Sequence, residues 1–390
     1  MEAAGAAGST GPAIASRLAS PMRADLPASI ADALDRCARP SLVFDLARIE
    51  ANARALAEAA RAAGTTALFA AKAFPRPEVR AIAARWLAGF DVASAAELAE
   101  VAALGPVDTV SVADPTGRAG AALAATAARR AIVGCETAAQ VRAAPAHAEI
   151  AIRLSASLTG RDPAVGAVQE GSGHRRSRFG LDLGPGRRRA TAELAELAAA
   201  AGGRPVGLHV HHGAVAATSA ERFIATARAA LDAAAEAGVA PRFLDVGGAW
   251  HAVADLPRAL RALRAAVPPD VELVIEPGRA LADGAGFACG RVTAARELED
   301  RPLRVVDLSR LCHLRWSHVE LIGRSPQHAA RPTLFVGPTC FEDDSLGEWT
   351  VEPPPVGARI SVRNVSGYAV AWNTGFGGVP PADVVLVQIV

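Results

Sequence analysis

Short apolar or β-branched runs alternate with Ala-rich stretches through the middle of this chain. The runs fall at 67–71, 90–93, 109–112, 131–134, 149–154, 206–210, 243–246 and 271–275. Apolar runs this short, bounded by turn residues, read as buried strands. Ala-rich helical segments lie between most of them, at 46–63, 77–87, 95–104, 187–201 and 219–238. Eight strands alternating with helices over about 250 residues predict a closed (β/α)8 TIM-like barrel. An open doubly wound sheet is the competing arrangement and fits the count less well.

After residue 284 the pattern changes. Candidate strands at 304–308, 333–336, 359–362 and 384–390 are separated by Pro and Gly clusters such as Glu352-Pro353-Pro354-Pro355. This predicts a separate β-rich domain. The N-terminal segment is rich in Ala, Gly and Ser and carries Glu2 where a signal peptide would carry basic residues. The resulting plan is a tail or leader over 1–40 that can join the β domain, a barrel over 41–284, and a β-rich domain over 285–390 that completes the site.

Composition narrows the function classes. The chain has 390 residues, 51% hydrophobic and 21% charged, the balance of a soluble globular protein. The 41 basic and 40 acidic residues leave a net charge of +1, so nothing in the charge favours nucleic acid or an anionic membrane as partner. The five cysteines are scattered and lack metal-ligand spacing, which points to a reduced cytoplasmic compartment and no metal.

One composition feature points to chemistry. Of the 41 basic residues only Lys72 is a lysine, at the end of the first predicted strand. A guanidinium stays protonated and cannot form a Schiff base, so a retained primary amine suggests covalent attachment of an aldehyde cofactor. Tyr368 is likewise the single tyrosine. In a barrel, ligands sit at the C-terminal ends of the strands, and phosphates favour the loops after the last two. Asp245-Val246-Gly247-Gly248 follows the proposed seventh strand, and Glu276-Pro277-Gly278-Arg279 follows the eighth. Paired glycines admit a phosphate to backbone N–H groups, and an arginine adds charge-assisted hydrogen bonds. Glu276 could pair with a protonated pyridine nitrogen. His209-Val210-His211-His212 ends the sixth strand; a flat imidazole stacked on a cofactor ring suits His211 better than zinc, and His209 and His212 read as structural.

These motifs resemble, in order over residues 40 to the end, the fold-type III pyridoxal-phosphate decarboxylases, the group of ornithine, diaminopimelate and arginine decarboxylases with an alanine-racemase-like barrel. Ala71-Lys72-Ala73 resembles the cofactor-lysine motif and Phe90-Asp91-Val92-Ala93-Ser94 the Asp-x-Ala-Ser step. Ser177-Arg178-Phe179-Gly180 resembles the Lys/Arg-Phe-Gly turn, and His211-His212-Gly213 the stacking motif. Gly337-Pro338-Thr339-Cys340 resembles the catalytic cysteine loop; Gly367-Tyr368 and Phe376-Gly377-Gly378 resemble the last two motifs.

The resemblance implies pyridoxal 5'-phosphate held by Lys72 as a Schiff base, with Asp91 at the cofactor site. His211 would stack on the ring, Gly247, Gly248, Arg279 and Tyr368 would bind the phosphate, and Gly278 would join the cofactor site. Glu276 would pair with the ring nitrogen. Cys340 would come from the partner subunit of a homodimer and protonate the substrate carbon. The sequence departs from the family at Phe74, Ala214, Ala249 and Phe341. Phe341 stands where an acidic residue holds a distal amine; Asp344 is the nearest matching acid, and Arg315 could grip a second carboxylate. The reading is therefore decarboxylation of an amino acid, conjugated or carrier-bound substrates included, rather than of a simple diamino acid. An amino-acid racemase on the same barrel and a non-catalytic cofactor-binding protein are the rivals.

Overall fold

The computed structural model describes residues 25–155, 178–182, 188–211, 220–323 and 329–388. Its strands, in chain order, are β1 (Ser41–Asp45), β2 (Thr65–Ala70), β3 (Gly89–Val92), β4 (Val107–Val112), β5 (Ala128–Cys135), β6 (Glu149–Leu154), β7 (Val206–Val210) and β8 (Phe243–Asp245). There follow β9 (Glu272–Ile275), β10 (Gly286–Glu297), β11 (Pro302–Val306), β12 (Glu320–Leu321), β13 (Arg331–Val336), β14 (Ser345–Val351), β15 (Arg359–Arg363) and β16 (Asp383–Val387). Strands β2 to β9 close into a barrel, and the ring is completed where β2 runs parallel to β9 with Thr65 opposite Leu273 and Ala67 opposite Ile275. Each of the eight apolar runs read from the sequence falls on one of these strands.

Local chemistry sets the helix starts. Asp45 accepts the backbone N–H of Arg48 and caps the helix Leu46–Ala62. Ser94 accepts the N–H of Glu97 while the Glu97 carboxylate takes the N–H of Ala93, so the helix Ala95–Ala102 starts immediately after β3. Pro77 occupies the first turn of the helix Pro77–Trp86, where its missing N–H has no cost.

Inside the barrel, Leu68, Ile132, Ala151, Phe243 and Val274 form their own buried cluster, one from each of β2, β5, β6, β8 and β9. Gly207 is required there: a Cβ would lie 2.5 Å from the Phe243 ring. Below this layer, at the N-terminal end, Arg130 makes a bidentate pair with Glu149, at 3.0 and 2.7 Å, and reaches Glu272 at 2.8 Å. Thr66 donates to the same Glu272 oxygen at 2.6 Å. Strands β2, β5, β6 and β9 are thereby stitched across the barrel floor, leaving the opposite mouth for chemistry.

The second domain is an eight-stranded sheet in the order β12-β15-β10-β11-β13-β14, with β1 on β10 and β16 on β1. β1 runs antiparallel to β10, Ser41 opposite Cys289, and parallel to β16. Residues 41–45, assigned to the barrel from sequence, thus lie in this sheet. The helix Ala28–Arg36 packs Ile30 and Leu34 against Val43, Phe287 and Cys289. The chain therefore enters through the second domain before it builds the barrel.

Arg130→Leu should leave Glu149 and Glu272 facing each other without a counter-charge. All three side chains are partly exposed, so the expected cost is about 2 kcal/mol. Denaturant unfolding followed by circular dichroism reads it; an unchanged midpoint would show that the floor network does not hold the barrel closed.

Candidate active site

Lys72 sits in the single turn Ala71–Ala73 that follows β2 at the C-terminal mouth. Its Nζ donates to Oδ2 of Asp91 at 2.6 Å. Asp91, on β3, has no exposed surface, whereas the Lys72 side chain is 34% exposed. Burial works against the ammonium, but Asp91 and then Glu276 raise its pKa above the ordinary lysine value. Burial and the charge of Glu276 push Asp91 up to about 7, against the pull of Lys72. Among the described residues, the second oxygen of Asp91 is buried without a hydrogen-bond partner.

Glu276 follows β9 and is 3% exposed. Burial opposes its charge, yet His209 and Lys72 hold its carboxyl well below the usual range. Its Oε1 has no hydrogen-bond partner among the described residues; Nε2 of His209 stands 3.5 Å away. His209, on β7, has Nη1 of Arg153 within 2.8 Å of Nε2 and 3.1 Å of Nδ1. Burial and that guanidinium push the pKa of His209 down. Burial, then Arg153, likewise lowers His211 to about 3, so its ring is neutral at working pH.

The glycine turn after β8 is built from its own residues. Asp245 accepts the N–H of Gly247 at 2.8 Å, and the Trp250 indole donates to the Gly247 carbonyl at 2.8 Å. Trp250 stacks on Phe223 with ring centroids 4.1 Å apart. Gly247 has φ +70, and a Cβ there would lie 2.7 Å from Cδ2 of His211. Ala249, at the third glycine position of the motif, also takes a left-handed φ of 73. It adopts the glycine-like left-handed turn at a steric cost. Burial and Glu276 push Asp245 well above the normal carboxylate range.

Arg279 opens the short turn Arg279–Ala282 after β9. Its guanidinium lies 5.8 Å from the Tyr368 ring centroid, and no hydrogen bond or carboxylate serves it among the described residues. Burial lowers its pKa. Tyr368 begins the helical turn Tyr368–Ala371 of the second domain, which packs on the Lys72 turn. Burial raises its pKa, although Lys72 and Arg279 both pull the other way. A Cβ on Gly278 would lie 2.7 Å from that of Ala73, so the two loops touch. The structure thus gathers Lys72, Asp91, His211, Gly247, Gly248, Glu276, Gly278, Arg279 and Tyr368 at one mouth.

The remaining site residues lie in the second domain. Cys340 is exposed on the loop between β13 and β14. Next to it, Phe341 is 51% exposed and meets Phe376 at 5.2 Å. Asp344 requires a correction. It is buried, accepting from Ser309 Oγ at 3.0 Å, the Arg310 N–H at 2.7 Å and Thr339 Oγ1 at 2.8 Å. It anchors the Cys340 loop within this chain, because spacing from a cysteine does not reveal which donors surround a carboxylate. Phe74, one of the departures from the family, is core, packed on Phe44 at 4.6 Å. Ser177, His212, Gly213 and Ala214 lie outside the described residues.

Sequence reasoning passed over Arg153. With His209, read as structural from the sequence, it forms the wall behind Glu276, and Asp245 shapes the glycine turn. Only Asp245 carried a legible signal, a carboxylate two residues before a turn N–H. His251, in the next turn, is pushed to about 4 by burial, Arg279 and His318. Donor atoms of His209, Asp245 and Glu276 lie within 4.8 Å of one another. A divalent cation is disfavoured there, because Lys72 and Arg153 already supply positive charge.

Residues 46–283 match the family model of the pyridoxal-dependent decarboxylase, pyridoxal binding domain. The chain is 28% identical over 368 residues to a diaminopimelate decarboxylase of Pseudomonas aeruginosa, covering 88% of this chain and 86% of that protein. It is 28% identical over 370 residues to the diaminopimelate decarboxylase of Deinococcus radiodurans, covering 91% and 92%. The fold is similar to the arginine decarboxylase of Paramecium bursaria Chlorella virus, solved bound to agmatine, with TM-score 0.74, 17% identity, and 90% and 96% of the two chains covered. It is also similar to the lysine/ornithine decarboxylase of Vibrio vulnificus complexed with cadaverine, with TM-score 0.72, 19% identity, and 92% and 97% covered. The chain belongs to the pyridoxal-dependent decarboxylases and is a carboxy-lyase that uses pyridoxal phosphate. Among the described residues no helix is long and apolar enough to cross a membrane.

The residues present fit that cofactor. A half-buried guanidinium without a carboxylate suits a phosphate, a buried carboxylate oxygen without a donor suits a protonated ring nitrogen, and a neutral imidazole suits the ring face. Gly247→Ala should force the turn off its left-handed conformation and push a methyl into His211. Cofactor affinity should fall by about tenfold or more, with the far-ultraviolet circular dichroism unchanged. Fluorescence titration of the apoprotein with pyridoxal phosphate measures it; an unchanged affinity would separate the turn from the cofactor.

Proposed function

We propose that this pyridoxal-dependent decarboxylase removes the α-carboxylate from an amino acid or an amino-acid-derived substrate other than a simple diamino acid. The observation that carries the reading is the Lys72–Asp91 contact at 2.6 Å, beside Glu276 with an unpaired oxygen and Arg279 without an acid. Pyridoxal phosphate supplies an electron sink for the charge left at the α-carbon when carbon dioxide departs. Lys72 is the attachment point. Asp91 accepts a hydrogen bond from its ammonium, which positions Nζ and offers a place for the proton the amine must lose. Glu276 holds a proton at the ring nitrogen, and Arg153 and His209 hold Glu276. The neutral ring of His211 would hold the cofactor's ring face. Arg279, Tyr368 and the N–H groups of Gly247 and Gly248 would seat the phosphate, and Gly278 lets the loop after β9 close on the Lys72 turn.

Cys340 protonates the substrate carbon as a general acid. Its exposed position on a loop of the second domain supports its delivery to the barrel mouth of a second copy, in a homodimer with shared sites. Arg315 binds an anionic group of the substrate. Phe341, in place of an acid, and the inward turn of Asp344 leave a distal ammonium without either of the carboxylates expected to hold it. This keeps conjugated and carrier-bound amino acids among the substrates. The five thiols, all free, support a reducing, cytoplasmic setting.

Carbon dioxide release from a panel of free and conjugated amino acids tests the assignment. Ornithine, lysine and diaminopimelate should turn over slowly, and the preferred substrate should lose about 100-fold or more in rate in Cys340→Ala while the cofactor stays bound. Fast turnover of any of the three would overturn the substrate reading, and an unaffected Cys340→Ala enzyme would remove the thiol from the mechanism.

A further inference from the structure

Tyr368 links the cofactor cradle to a run of aromatic rings that leads outward. One side of its ring faces Arg279 at 5.8 Å; Trp316 meets it edge-on at 5.1 Å. Trp316 in turn meets Trp372 at 5.4 Å, and the Arg315 guanidinium lies 4.6 Å from the Trp372 ring centroid. The run therefore begins at the phosphate end of the site and finishes on a cation.

Four observations distinguish this run from ordinary core. Trp316 is 48% and Trp372 38% exposed, although rings of this size are normally covered. Neither indole N–H has a hydrogen-bond partner among the described residues. Arg315 makes no hydrogen bond or ion pair among the described residues, so its charge is held over a ring and free on its outer side. Trp316 has a φ of 59, a left-handed conformation that a bulky side chain adopts only where its surroundings impose it. Glu342 and Asp343, the exposed acids of the Cys340 loop, make no ion pair with Arg315.

We infer that Trp316 and Trp372 form the wall along which the substrate side chain lies, with Arg315 at its outer end, and that this wall selects an amino acid whose side chain carries an apolar or aromatic section ending in an anion. This rests on the decarboxylase reading of the same site and names its substrate class. The flat ring faces bury a planar or apolar section, the indole N–H groups and the guanidinium take the terminal oxygens, and the Arg315 guanidinium repels a terminal ammonium placed at the same outer end. Trp372 is a positioning residue for Arg315: its ring fixes the guanidinium that would otherwise turn to solvent.

The test is titration of the holoenzyme, followed by tryptophan fluorescence, with 4-carboxy-L-phenylalanine, L-phenylalanine and L-lysine. The first should bind about tenfold more tightly than either of the others, and Arg315→Ala and Trp372→Ala should each abolish that preference. Both variants should keep the visible cofactor band of the parent. Equal binding of the three probes, or a preference that survives Trp372→Ala, overturns the wall. So does sedimentation velocity showing that Trp372→Ala dissociates the oligomer without changing probe binding, since the rings would then be a subunit contact. Loss of the cofactor band from the unaltered protein would instead strike the decarboxylase reading itself.

Discussion

A single amine held against a fully buried carboxylate is the constraint on which the rest of the structure depends. Burying Asp91 without a counter-charge would be costly, and the Lys72 ammonium at 2.6 Å offsets that cost. Glu276 adds a second buried negative charge within reach of the same amine, and Arg153 comes at it from behind His209. The barrel mouth is therefore a balanced set of charges around one nucleophile. Among the described residues, one carboxylate oxygen on each of Asp91 and Glu276 is left without a donor.

The fold divides the work between its two ends. The Arg130 network closes the floor of the barrel, while β2, β3, β7, β8 and β9 deliver their chemistry at the opposite rim. The second domain is more than an appendage: it brings Tyr368 down onto the Lys72 turn from nearly three hundred residues away in the chain. The same domain carries Arg315, Trp316, Trp372 and the Cys340 loop. Cofactor chemistry thus resides in the barrel, and the groups proposed to select and protonate a substrate come from the sheet.

Much of this was legible in the residues. The eight barrel strands are buried on both faces, so they read as continuous apolar runs, and the lone lysine and the two glycine-containing turns follow three of them. β10 was not legible: its sequence, Gly286–Glu297, is rich in small residues and becomes a strand because β1, β11 and β15 pair with it. β1 looked like the start of the barrel because a long helix follows it, and only pairing across the chain shows otherwise. Asp344 looked available because linear spacing is blind to the hydroxyl and N–H donors that fold around it. The role of His209 follows from Arg153, a neighbour on an adjacent strand that no local pattern connects to it.

Borohydride reduction of the protein saturated with pyridoxal phosphate, followed by peptide mass mapping, tests the central claim most directly. The account predicts a pyridoxyl group on the peptide containing Lys72, at a stoichiometry near one per chain. An unmodified Lys72 peptide from protein that had taken up the cofactor would contradict it.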